Sequence, residues 1–139
     1  MSAELAVYSA LKNILNDYAE SEGINFIQEN SATDDSYTPN ANENYLAEFD
    51  IPTDSQSPTL NGGYEVDRGF YQINVSTPMG LGSYKNKTLA AAIKALYPRE
   101  TLIKDDGYTI KIRRVTVSRG RVVRSHFRAA VSVYWQVIG

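Results

Sequence analysis

A chain of 139 residues with no cysteine has the size of one domain and can bury roughly two thirds of its unfolded surface; it excludes disulfide scaffolds, thiolate zinc sites and cysteine nucleophiles, and suits a reducing compartment or a virion. No apolar run approaches the roughly 20 residues that span a bilayer, and residues 1–18, carrying Glu4, Asp17 and one Lys, lack the basic start and apolar stretch of a signal peptide, so a mature cytosolic product with no membrane partner is expected. The net charge of −2 hides a split: residues 1–66 hold twelve acidic residues and one basic residue (−11), residues 67–139 four acidic and thirteen basic (+9). Such asymmetry implies a partner surface of opposite sign, either nucleic acid or the other half of a neighbouring copy.

Residues 3–21 read as an amphipathic helix, with Leu5, Tyr8, Leu11, Ile14, Leu15 and Tyr18 at three- and four-residue spacings. Ser2 is the expected N-cap and Gly23 the stop signal. Residues 24–28, centred on Phe26, read as a short strand. Residues 29–44 are mostly Asn, Asp, Ser and Thr with one Pro, Tyr37 is the one large apolar group, and few side chains there could offset the entropy of ordering them. Residues 45–51 alternate as a strand, with Tyr45, Ala47, Phe49 and Ile51 on one face and Glu48 and Asp50 on the other. The strands either side of the acidic loop are expected to pair as a hairpin. A turn-rich stretch, 53–63, follows. Residues 69–77 place Tyr71, Ile73 and Val75 inward.

Residues 84–96 read as a second helix, with Leu89, Ala92, Ile93 and Leu96 on one face and Pro98 ending it. Asp105-Asp106-Gly107 reads as a turn before a strand over 109–118, whose parity slips at Arg113-Arg114 and so predicts a bulge. Gly120 marks the next turn. Residues 125–138 alternate most cleanly, with Phe127, Ala129, Val131, Val133, Trp135 and Val137 on one side. The order predicts an α+β fold: a mixed, largely antiparallel sheet, two helices packed on one face, and a long polar loop in an N-terminal hairpin. One domain over 1–139 is expected.

Catalytic constellations are missing. His126 is the only histidine and has no positioned nucleophile or carboxylate in a motif. Asp34, Asp35 and Glu43 lack the spacing of a calcium loop. Gly80-Leu81-Gly82 precedes a helix but lacks the remainder of either phosphate-loop fingerprint, so a flexible strand-to-helix turn is the simpler reading. No catalytic residue, cofactor, metal or small-molecule substrate is therefore assigned. The sharpest feature is basic: Arg113, Arg114, Arg119, Arg121, Arg124 and Arg128 surround one hairpin. All six are Arg, whose planar fork suits bidentate recognition of carboxylate or phosphate. The acidic half supplies complementary carboxylates in Asp34, Asp35, Glu43, Glu48 and Asp50. These eleven residues are the candidate interface. Single-strand binders interleave aromatics with such charges, and none lies between Arg113 and Arg124. Solvation of an edge is the competing explanation.

The run Arg68-Gly69-Phe70-Tyr71-Gln72-Ile73-Asn74-Val75, then Pro78-Met79-Gly80-Leu81-Gly82, then a helix with Leu89, Ala90, Ile93 and Leu96, resembles the tail-terminator-like proteins of long-tailed bacteriophages. The closing strand Arg128-Ala129-Ala130-Val131-Ser132-Val133-Tyr134-Trp135, the helix containing Leu5-Ala6-Val7-Tyr8-Ser9-Ala10-Leu11 and the strand Tyr45-Leu46-Ala47-Glu48-Phe49 are similar in order. The resemblance implies a non-enzymatic virion protein, assembled in the host cytoplasm. It implies a homo-oligomeric ring, commonly of six subunits, on the head-proximal end of the tail tube. The ring's partners would be the tail tube protein and the head or neck connector, with genomic DNA only passing through. A head–tail connector or neck adaptor is the alternative, and a nucleic-acid-binding accessory protein a more distant one.

Overall fold

A computed structural model of the chain describes residues 3–27, 43–52, 68–80, 82–105, 107–123 and 126–137. Within them lie helices α1 (Ala3–Glu22) and α2 (Tyr84–Ala95). The strands are β1 (Asn25–Ile27), β2 (Tyr45–Pro52), β3 (Arg68–Pro78), β4 (Leu102–Asp105), β5 (Tyr108–Val117), β6 (Arg121–Val123) and β7 (His126–Val137). The seven strands form one sheet in the order β1-β2-β3-β7-β5-β4, with β6 pairing β7 off that path. Every pairing is antiparallel except β1 with β2. The fold is therefore α+β with a mixed, largely antiparallel sheet, as the order of elements predicts.

Two local expectations are overturned. β1 and β2 run parallel, with Asn25 opposite Tyr45 and Ile27 opposite Ala47, so they are not a hairpin. Two residues can join antiparallel strands, but a parallel pair needs a return crossover, typically of a dozen or more. The long connection between β1 and β2 thereby acquires a topological reason. Gly120 is not the hairpin turn either. β5 pairs one edge of β7 as far as Val117 opposite Val131, and β6 pairs it again from Arg121 opposite Arg128. Residues 118–120 interrupt what is otherwise one strand path. Ser118 stitches the interruption to β7, its N–H donating to the Ala130 carbonyl and its Oγ accepting from the Ala130 N–H, each at 2.8 Å. Glycine stands at 120 for room: an added Cβ would lie 2.3 Å from the Phe127 ring.

The core forms where strand alternation meets helical spacing. Tyr71, Ile73 and Val75 of β3, Val131, Val133 and Trp135 of β7, and Ile110 and Ile112 of β5 are buried. α1 adds Val7, Leu11, Leu15 and Ala19, and α2 adds Ala90 and Ile93. Both helices are rotated slightly from the expected faces. Leu5 is 51 % exposed while Ala6 and Val7 are fully covered. In α2 the buried set begins at Asn86, with Leu89 only partly buried against the core. Small side chains permit this: Ala6, Ala10 and Ala90 allow closer approach to the sheet than Leu would. β2 turns Leu46 and Glu48 inward and leaves Phe49 and Ile51 at the surface. Asn86 locks α2 in place. Its buried amide donates to the carbonyls of Val75 and Phe127, both at 2.9 Å, and to Thr77 Oγ1 at 3.3 Å, joining the helix to β3 and β7.

Candidate functional site

In a regular strand Arg113 and Arg114 would point to opposite faces. Here the register of β5 on β7 slips between Ile112 and Arg114, at the predicted bulge. Both arginines consequently stay exposed and line one concavity of about 520 Å3, together with Arg99, Glu100, Lys111 and Tyr134. Arg114 lies over the Tyr134 ring, 4.3 Å from its centroid. Stacking occupies the face of the guanidinium and leaves its in-plane N–H donors free to point outward.

Glu100 enters the same concavity through an unusual backbone. Its φ is +69°, the left-handed region, which costs a non-glycine residue of order 1 kcal/mol. The conformation is held from both sides: the Glu100 N–H donates to the Ile112 carbonyl at 2.8 Å, and the Ile112 N–H donates to the Thr101 carbonyl at 2.9 Å. Glu100 Oε2 lies 3.0 Å from Lys111 Nζ and Oε1 3.6 Å from Arg99 Nε. The hydrogen bond from Lys111, then its charge, hold the Glu100 carboxyl below its ordinary range. Among the described residues neither Arg113 nor Arg114 has a carboxylate within ion-pair distance. Among the described residues, Arg99 and Lys111 are the members of this set that pair with a carboxylate, that of Glu100.

The other candidate residues go elsewhere. Arg119 is exposed in the 118–120 interruption and borders a groove with Lys87 and Lys94 of α2. Arg121 stands directly opposite Arg128, a repulsive cross-strand pairing. Arg128 turns to β2 and β3, donating to Tyr45 Oη at 2.8 Å and Ser76 Oγ at 3.3 Å. Arg124, Asp34 and Asp35 lie outside the described residues. Glu43 is half-buried beside the Asn25 amide, and Asp50 is half-buried on β2. The described arginines occupy several places: Arg113 and Arg114 share the concavity, Arg119 borders the α2 groove, Arg121 lies on β6 and Arg128 turns to β2 and β3.

Glu48 is not at the surface. It is 1 % exposed and accepts hydrogen bonds from the hydroxyls of Tyr8 and Tyr71, the latter at 2.6 Å. A carboxylate so enclosed is held by the chain's own donors and has no face to offer a second copy. Burial first, then the hydrogen bond to Glu48, push the Tyr71 hydroxyl far above its ordinary range. Burial and the Glu48 charge do the same to Tyr97, which donates to the Leu11 carbonyl at 2.8 Å. His126 is 2 % exposed, with Nε2 3.0 Å from the Glu43 carbonyl and its ring edge-on to Tyr45. A carbonyl only accepts, so this nitrogen carries the proton. Gly80 and Gly82 both take positive φ in the turn into α2, which accounts for glycine there without a phosphate. Among the described residues no group of three His, Asp or Glu could hold a metal ion, and no helix is long and apolar enough to cross a membrane.

Residues 6–135 match the family described as phage tail terminator protein. The chain belongs to the phage tail terminator family. That makes it a structural protein of the phage tail, located in the virion and acting with other tail and head proteins. No curated protein matches the chain. One solved structure superposes with a TM-score of 0.80 at 22 % identity, covering 100 % of this chain and 98 % of the other, which shows a shared fold. Sequence reasoning missed Arg99, Glu100, Lys111 and Tyr134 as companions of Arg113 and Arg114. The parity slip at the bulge was the available signal, since it turns neighbouring arginines towards one place.

Proposed function

We propose that this chain forms a ring, of six subunits, that caps the head-proximal end of the tail tube. The ring ends tube polymerisation and presents a surface to the head or neck connector, and genomic DNA passes through it. Assembly takes place in the host cytoplasm. The observation that carries this reading is the family match across residues 6–135. The arginines exposed around the β5–β6–β7 region serve as contacts between copies or to these partners. No reaction enters the proposal, and 1–139 acts as a single domain.

Electron microscopy of tails made with and without the chain tests it. With the chain present, tails of uniform length carry one ring at one end. Without it, tubes of uneven length accumulate and heads remain unattached. Uniform tails formed in its absence would refute the role.

A further inference from the structure

The concavity of Arg99, Lys111, Arg113 and Arg114 faces solvent with a surplus of positive charge, and two separate backbone devices build it. The β5 bulge turns two consecutive arginines to one side, and the left-handed Glu100, pinned to Ile112, brings in a carboxylate from the β4 side. Glu100 shows what the concavity accepts: a carboxylate between Arg99 and Lys111, ionised below its usual range. One carboxylate engages only those two cations. Arg113 and the Tyr134-stacked Arg114 keep their forks for more of the same chemistry.

The same chain carries the complement. Asp17, Glu20 and Glu22 are exposed on the last turns of α1, which hold no basic residue. Carboxylates at a helix C-terminus face the negative end of the macrodipole, an unfavourable placement that a cation relieves. No cation of the described residues lies within ion-pair distance of any of the three. Among the described residues no ion pair joins Asp17, Glu20 or Glu22 to the cations of the concavity within one copy. α1 packs against β4 and β5 as well as β1 and β2 and leads through Gly23 and Ile24 directly into β1, while the concavity is built on β5 and the approach to β4. A single copy does not satisfy both. A row of copies related by rotation satisfies both at every junction, which is the heterologous contact of a closed ring.

We infer that the basic concavity receives the acidic C-terminal end of α1 from a second copy of this chain. The inference rests on the ring reading above and assigns the residues that close it. Arg113 and Arg114 bind Glu20 and Glu22 of the neighbour, with Asp17 at the margin, and Glu100 keeps Arg99 and Lys111 oriented. Such contacts weaken with added salt where they remain partly exposed.

The test is charge reversal followed by double reversal, read by sedimentation velocity of the full chain, alone and on purified tail tubes. Arg113→Glu with Arg114→Glu is expected to weaken self-assembly by at least about thirtyfold while leaving the circular dichroism spectrum and the unfolding midpoint near those of the wild type, because both side chains are exposed. Adding Glu20→Arg and Glu22→Arg to the same chain restores assembly, whereas Glu20→Arg with Glu22→Arg alone fails as the arginine variant does. Assembly undiminished in the arginine variant overturns this contact and leaves the ring intact. Loss without rescue overturns the pairing with α1. A wild-type chain that stays monomeric even with tubes present overturns the ring reading, and this contact with it.

Discussion

At the scale of single residues, close approach and buried hydrogen bonds set the sensitive positions. Gly120 lies under the Phe127 ring, where an added Cβ would come within 2.3 Å of two ring carbons. Gly120→Ala should destabilise the fold by about 1–3 kcal/mol in denaturant unfolding. Adding Phe127→Ala should return part of that, because the two side chains compete for one space. The Glu48 cluster makes a different prediction. Tyr71 and Tyr97 have hydroxyls raised well above the usual tyrosine range by burial and by Glu48. A raised pKa in the folded state means stability that is complete below about pH 10, the unfolded value, and is lost as pH rises beyond it, since unfolded tyrosines release protons that the folded ones retain. Unfolding midpoints should therefore fall above about pH 10. Tyr71→Phe should flatten that fall while lowering stability at neutral pH by about 1.5–3 kcal/mol, the cost of removing a donor from a buried carboxylate.

At the scale of elements, α2 is held less by capping than by one side chain. Ser83 makes no side-chain cap bond, whereas Asn86 reaches the carbonyls of Val75 and Phe127. Asn86→Ala should cost about 2–3 kcal/mol by removing the buried hydrogen bonds that tie α2 to β3 and β7; hydrogen exchange should show α2 opening before β3 and β7. Much of this layer was legible in the residue pattern. The clean alternation from Tyr71 to Val75 and from Ala129 to Val137 specified the central strands, and the parity slip at Arg113-Arg114 located the bulge. The direction of β1 was not legible, since Asn25-Phe26-Ile27 is too short to say whether its partner runs with it or against it. The inward turn of Glu48 was hidden for another reason. A carboxylate reads as a surface residue until tertiary structure supplies Tyr8 and Tyr71, forty and twenty-three positions away. The concavity was half visible: Arg113 and Arg114 are adjacent in sequence, but Arg99, Glu100 and Tyr134 join them only through the β5–β7 pairing and the left-handed turn at Glu100.

At the scale of the whole molecule, the charge split between halves becomes an arrangement in space. The carboxylates at the end of α1 directly precede β1, the arginines of the bulge lie on β5, and among the described residues no ion pair joins the two sets within one copy. In the ring proposed above, a neighbouring copy would bring the two together at each junction. Ionic strength should modulate this assembly more than the stability of the subunit, because the core residues are apolar and enclosed whereas the charges are exposed. The central claim is that the chain stops tube growth by closing as a ring on one end. Electron microscopy of tubes polymerised with the wild-type chain added at increasing concentration tests it most directly. Tubes should shorten towards a common length, each bearing one ring at a single end. Tubes that grow without limit beside the saturating chain, or that bind it along their sides, would contradict the account.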